Sequence, residues 1–275
     1  MIADKISALF EARPQSYTPF DRELINEFMQ HLNEGSIRAA EKELTGWKVN
    51  QWVKMGILVA FRMGVLVELP WSDKKPFFDK DTIREKTFTL ADQIRIVPGG
   101  SSARNGCYLA PGVTVMPPAF INIGAWIGSG TMVDSHALVG SCAQVGANVH
   151  LSAGAMLGGV LEPIGSRPVI IEDNAFIGGN TGIYEGVIVG SQAVVAAGTV
   201  ITSSTPIFDA VQGSFLPKDA GNSYSIPSGA VIVPGSRSLK NHPGVQINCP
   251  VIIKYRDANT EVSVALESDL RSVLE

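Results

Sequence analysis

The sequence predicts a mainly β protein, a parallel β-helix built from hexapeptide repeats, with a small helical region before it and a strand-and-helix tail after it. Three observations carry this. Every sixth residue is a branched aliphatic: Leu109, Val115, Ile121, Ile127, Val133, Val139, Val145, Leu151 and Leu157, then, after a two-residue shift, Ile171, Ile177, Ile183, Val189, Val195, Ile201 and Ile207. The residue four places on is small or β-branched, as at Ala125, Thr131, Ala137, Ala143, Val149, Ala155, Ala175, Thr181, Val187, Ala193 and Thr199. Glycine often follows the aliphatic, at Gly128, Gly140, Gly146, Gly158, Gly178 and Gly190. Self-similarity at a short fixed period marks a solenoid. The period is neither 3.6 nor 7, which excludes an amphipathic helix, and turn residues break the alternation of an ordinary strand in every hexad.

Six residues make one short strand and one turn, and three such units close a triangular coil. The aliphatic and its small partner point inward, and stacked coils form one continuous apolar core. Six coils at a strand spacing of about 4.8 Å give a prism roughly 30 Å tall.

Residues 1–95 have a different texture. Thr18-Pro19-Phe20-Asp21 predicts a helix start, with Leu24, Phe28 and Leu32 on one face and Gly35 as its stop. A second helix is predicted over 50–62, with Trp52, Val53, Ile57 and Ala60 apolar, and a short helical piece is expected within 36–45. Pro70, Pro76 and the aromatics Trp71, Phe77, Phe78 and Phe88 predict an irregular linker. The region reads as an α-rich cap over the terminal coil, whose open end would expose unpaired strand edges. The repeat occupies 96–236, interrupted at 159–168, where the register slips, and at 208–224; Ile226 and Ile232 resume it. The tail, 237–275, holds a predicted strand at 251–255 and a terminal helix at 262–274.

The composition narrows the function. The chain has 275 residues, 45% hydrophobic, with a net charge of −4, so it lacks the basic footprint of a nucleic-acid binder. No apolar run approaches the roughly 20 residues of a membrane span. Met-Ile-Ala-Asp-Lys-Ile-Ser at the start carries no signal-peptide core, and Cys107, Cys142 and Cys249 read as reduced thiols; a cytoplasmic protein is expected.

Candidate chemistry sits where the repeat breaks its own habits. The position after a core aliphatic is usually Gly, Ala, Ser or Asn, but Asp134 stands there in Thr131-Met132-Val133-Asp134-Ser135-His136. Such an acid is either a catalytic group at a corner or a solvated aspartate. Glu185, in Ile183-Tyr184-Glu185-Gly186, is a second outward acid, open to the same two readings. Arg95 and Arg104 flank Val97-Pro98-Gly99-Gly100 at the entrance of the repeat; they either hold substrate carboxylates bidentately or are ordinary surface charges. Arg237, Lys240 and Lys254 give the tail a positive character suited to nucleotide phosphates. Zinc needs three or four ligands, and only His136 and His150 fall in the repeat, so no metal is expected.

Longer motifs carry a resemblance. Val97-Pro98, Asn122-Ile-Gly-Ala, Gly130-Thr-Met-Val-Asp134, Val139-Gly-Ser-Cys-Ala-Gln144, Asn148-Val-His-Leu-Ser152, Gly158-Gly-Val-Leu-Glu-Pro163, Ile171-Glu-Asp-Asn174, Phe176-Ile-Gly178 and Glu185-Gly-Val-Ile-Val189 closely resemble the tetrahydrodipicolinate N-succinyltransferase family of hexapeptide-repeat acyltransferases. Ala40-Glu-Lys and the helix bearing Trp52 are similar too. The resemblance implies a left-handed coil and a homotrimer with sites in clefts between neighbouring prisms. It implies succinyl transfer from succinyl-CoA to ring-opened tetrahydrodipicolinate, in lysine and diaminopimelate biosynthesis. Arg95 would bind a substrate carboxylate, Arg104 matches a second entrance arginine one residue out of step, and Asp134 would contact the substrate amine. The chain departs from the family at Gly182, where a glutamate is usual, at His136, where a tryptophan is, and over Trp126-Ile-Gly-Ser-Gly130. Other readings are an acetyl-CoA-dependent acyltransferase, a non-catalytic scaffold and a metal-dependent lyase.

Overall fold

Each two-residue strand of the repeat pairs in parallel with the strand one coil on, Trp126 with Gln144, Met132 with His150 and Leu138 with Met156. This is a computed structural model, and it describes residues 1–70 and 76–256; Trp71 and the helix expected at 262–274 lie outside the described residues. The pairing generates three sheets of ten, six and six strands, the three faces of a prism. The first face starts at Arg95–Ile96 and rises through Met132–Val133, His150–Leu151 and Phe176–Ile177 to Ala230–Val233. The second runs from Ser102–Ala103 through Phe120–Ile121, Met156–Leu157 and Gly182–Ile183 to Val200–Ile201. The third runs from Tyr108–Leu109 through Trp126–Ile127 and Gln144–Val145 to Ser225–Ile226.

The inward column is as the periodicity requires. Ile127, Val133, Val139, Val145 and Leu151 have no solvent exposure, and their small partners Ala143, Val149 and Ala155 share one core with them. Thr131 can occupy a small position because its hydroxyl is satisfied: Oγ1 donates to the Gly146 carbonyl at 2.8 Å and accepts from the Val149 amide at 3.0 Å. Coils approach closely at the corners. A Cβ on Gly128 would sit 2.6 Å from the Gly146 carbonyl carbon, so glycine here is a demand of stacking.

Three helices precede the prism: α1 (Ile2–Ala12), α2 (Pro19–Glu34) and α3 (Gln51–Met63). The predicted start of α2 is a capping box, with the Thr18 hydroxyl accepting from the Asp21 amide and Asp21 accepting from the Thr18 amide; Gly35 at φ 70° ends it. Helix α1 is additional to the sequence prediction. Ile6, Leu9 and Phe10, on one face, were its signal.

Three expectations for this region are corrected. The segment 36–45 is not helical: Ala40–Glu43 pairs antiparallel with Gly46–Val49 across a turn at Leu44 and Thr45, and Gly46 begins the return strand at φ 124°. The linker is not irregular either, since Leu66–Pro70 pairs antiparallel with Pro76–Lys80. The helices do not cover the open end. They lie along the third face and its edge with the second, where Ile123 and Cys142 of the prism join Ile25, Phe28 and Ile57 in a second apolar cluster. Outward aromatics explain this, because the Tyr108 and Trp126 rings lie 5.2 Å apart, tilted by 35°, on that face and gain by being covered. The first coil is closed instead by residues 85–94: the Lys86 amide donates to Ala103, and Phe88 and Ile94 pack on the core. At the far end Val251–Tyr255 turns back antiparallel to Ala230–Val233, and Leu216 and Tyr255 pack on the last coil.

Replacing Ile127 by Ala removes side-chain volume from the centre of the prism and is expected to cost about 2–5 kcal/mol in denaturant unfolding. Met156→Ala, on the outer second face, should cost less than about 1 kcal/mol. Equal losses at the two positions would contradict an inward six-residue column.

Candidate functional site

The backbone of Asp134 is locked by coil stacking, its amide donating to the Leu151 carbonyl at 2.9 Å. This puts the carboxyl at the edge between the first and second faces, half-buried, with one oxygen accepting from the Ser135 amide at 2.7 Å. His136 follows with φ 62°, an exposed left-handed corner residue. Arg95 opens the same first face: it stands in register with Thr114, which stands in register with Met132. Arg95 and Asp134 therefore share one side of the prism two coils apart, about 10 Å along the axis. Neither makes an ion pair among the described residues. His150, on this face, is buried and stacks on Phe176 at 4.9 Å.

The other sequence candidates lie elsewhere. Arg104 follows the second face and pairs with Asp79 at 2.8 Å, tying the 66–80 hairpin to the first coil; it does not converge with Arg95. Glu185 sits at the edge between the second and third faces, two coils above Asp134 and around a corner from it. It accepts from the Ser203 amide at 3.0 Å and hydroxyl at 2.5 Å. Lys240 lies exposed at the turn between Ser236–Leu239 and His242–Asn248, and Lys254 lies on the returning strand opposite Val231. Among the described residues no three His, Cys, Asp or Glu side chains converge as a metal-binding group.

Both interruptions of the repeat leave from that same second-to-third edge, one between Met156–Leu157 and Ile170–Ile171, the other between Val200–Ile201 and Ser225–Ile226. Together with the Gly46–Val49 strand they enclose a groove of about 1180 Å³, lined by Gly158, Glu162, Tyr184, Glu185 and Ser203 among others. Arg167 binds the two excursions to each other. Its Nη2 pairs with Asp219 at 2.7 Å and its Nε donates to the Gly186 carbonyl at 2.8 Å. Helix α3 reaches the first excursion through Lys54, which is fully buried and donates to the Ser166 carbonyl; burial lowers its pKa. The sequence reading treats both excursions as loops and passes over Lys54, Arg167 and Asp219. The available signal was phase, since both loops emerge at the same corner of the coil.

Partial burial works to raise the Asp219 pKa, but hydrogen bonds from Arg167 and Ser225 outweigh it and hold the carboxyl below its usual value of 3.8. A depressed native pKa adds stability that is present above 3.8 and disappears as pH falls through the native value. The difference in Tm between wild type and Asp219→Asn is therefore expected to be largest near neutrality and to shrink below about pH 4. A difference that grows on acidification would contradict the Arg167–Asp219 pairing.

The chain matches two family models, the tetrahydrodipicolinate N-succinyltransferase N-terminal model over residues 1–63 and the hexapeptide repeat of succinyl-transferase over 168–203. It is similar to proteins called 2,3,4,5-tetrahydropyridine-2,6-dicarboxylate N-succinyltransferase. That of Herminiimonas arsenicoxydans is 43% identical, covering 91% of this chain and 89% of the relative. Those of Paraburkholderia phymatum, 41% identical, and Parvibaculum lavamentivorans, 40% identical, each cover 91% of this chain, and 89% and 90% of their own.

Proposed function

The chain belongs to the tetrahydrodipicolinate N-succinyltransferase family, and from that premise we propose that it transfers succinyl from succinyl-CoA to the amine of ring-opened tetrahydrodipicolinate, a step of lysine and diaminopimelate biosynthesis. The observation that carries this reading is an identity of about two residues in five across helices and prism together.

The chemistry needs a neutral amine held against a thioester carbonyl. Nitrogen attacks the carbonyl carbon, the C–S bond breaks, the amide forms and the thiol of CoA departs with a proton. In this reading Asp134 accepts the ammonium proton as general base, and Arg95, on the same side of the prism, holds a substrate carboxylate. Alignment of two bound substrates contributes most of the acceleration. No covalent enzyme intermediate is needed. The groove at the second-to-third edge takes the extended arm of the donor, with Glu185 and Ser203 on its wall. Lys240 and Lys254, towards the C-terminal end of the prism, carry the charge that would meet the donor's phosphates.

The assembly in this reading is a homotrimer of left-handed prisms. Its support is that α2 and α3 occupy the third face within the chain, leaving the first and second faces for neighbouring copies. A cyclic arrangement then brings the Asp134 edge of one copy to the groove of the next. In this reading the enzyme works in the cytoplasm, where acyl-CoA donors are available. Among the described residues no helix is long and apolar enough to cross a membrane.

One observation favours a second donor, an uncharged short acyl thioester such as acetyl-CoA. The groove's arginine, Arg167, is already paired with Asp219, while Glu162 and Glu185 also line the groove, so a second carboxylate finds no free cation among the lining residues.

Released CoA, measured with each donor, separates the two: succinyl-CoA is expected to be the better substrate by kcat/KM, and a clear acetyl preference would replace the first reading by the second. Asp134→Asn should lower turnover by about two to four orders of magnitude while the oligomer, followed by light scattering, persists. Near-wild-type turnover would remove Asp134 from the proton transfer.

A further inference from the structure

Where the second face meets the groove, three residues form one unit. Tyr184 follows Ile183, and its side chain turns back over the outer surface of two successive coils. A Cβ on Gly182 would lie 2.5 Å from the ring and 2.9 Å from the hydroxyl oxygen; a Cβ on Gly158 would lie 2.6 Å from the ring. Neither glycine has the left-handed backbone that would itself call for glycine. A side chain at either position would meet the ring and displace it.

The surroundings say what the ring divides. In strand register Gly182 stands between Met156 on one side and Val200 on the other, and both are more than two-fifths exposed. An apolar strip thus rises along the second face beside the groove, and the Tyr184 ring fills its middle. The phenol hydroxyl has no hydrogen-bond partner among the described residues, and Tyr184 also lines the groove.

We propose that Tyr184 sets the length of acyl chain that the groove accepts, its ring blocking the strip that a longer chain would follow between Val200 and Met156. The inference rests on the acyl-thioester reading above and goes further by naming the specificity-determining side chain. An acyl group of the right length abuts the ring. Each further methylene collides with it, because Gly158 and Gly182 lie directly beneath and leave the ring pressed on backbone. Removing the ring opens a trough floored by two glycines and flanked by two apolar side chains, a surface on which methylenes are favourably buried.

The test uses the full chain and a donor series of acetyl-, succinyl- and glutaryl-CoA, with kcat/KM for each. Wild type is expected to discriminate against glutaryl relative to succinyl. Tyr184→Ala should raise the glutaryl-to-succinyl ratio by about tenfold or more, the scale of one methylene in an apolar pocket. Tyr184→Phe keeps the ring and should keep the wild-type ratio. Gly182→Ala displaces the ring without deleting it and should move the ratio in the same direction as Tyr184→Ala. A ratio within about twofold of wild type in a Tyr184→Ala protein of unchanged Tm would overturn the proposal. So would a Tyr184→Phe protein that shifts as far as the alanine variant, since the hydroxyl would then be the determinant. If wild type releases no CoA from any donor, the transferase reading fails and this inference with it; if it turns over succinyl-CoA and the ratios stay fixed, only the role of Tyr184 falls.

Discussion

The structure depends on one constraint: each coil must bring a branched aliphatic back to the same inward column after three turns. Two-residue strands have no stability alone. They persist because successive coils pair, as where the Trp126 and Gly128 amides donate to the Ala143 and Val145 carbonyls and Ile127 accepts from the Ala110 amide, and because the interior is a continuous close-packed stack. Nothing extra can be inserted into that interior. Added residues must leave at a corner and return in phase, and both long excursions do so at one edge. The groove is a consequence of closure. Its walls are the residues that the repeat could not hold inside.

The second organising contact is between the helices and the third face. Arg38 lies 3.7 Å from the centre of the Trp126 ring and donates through Nε to Gln144 at 2.9 Å, while Gln144 is itself wholly buried and donates to the Gly124 and Cys142 carbonyls. Burial lowers the Arg38 pKa to about 10, against the pull of Glu41 and Asp173, and the guanidinium stays charged at neutral pH. Nearby, Glu172 accepts from Trp47 and Lys42 and fastens the 40–49 hairpin to the prism. Cys142 and Cys107 are pushed up to about 12 by burial, so both thiols are packing residues rather than nucleophiles. These contacts fix the 40–49 hairpin as one wall of the groove, and Lys54 ties helix α3 to the excursion at Ser166.

Legibility followed the range of the interactions concerned. Asp134 was visible because it violates a six-residue habit, and Arg95 because it stands where the repeat begins; both signals are local. Arg104 looked equivalent to Arg95 in sequence, yet one arginine belongs to the first face and the other follows the second, where Asp79 from a distant hairpin claims it. Glu185 was visible as a second outward acid, but its setting was not: Ser203, 18 residues on, donates to it through amide and hydroxyl. The hairpins at 40–49 and 66–80 escaped because short amphipathic segments favour helix or strand weakly, and docking against the prism decides between them. Arg167 and Asp219, 52 residues apart, form a pair that no spacing rule relates.

The sequence by itself determined the prism: a period of six places every aliphatic on one side of a coil, and no other regular backbone turns that period into a buried column. It also determined the first polar residue to break the pattern, Asp134. Tertiary structure decided everything that depends on which corner a residue occupies. The meeting of two excursions in one groove, the capture of Arg104 by Asp79, the folding of Tyr184 across Gly158 and Gly182, and the lodging of the helices on the flank all follow from contacts between segments far apart in the chain. Those contacts are set by close packing in three dimensions, which a one-dimensional period does not encode.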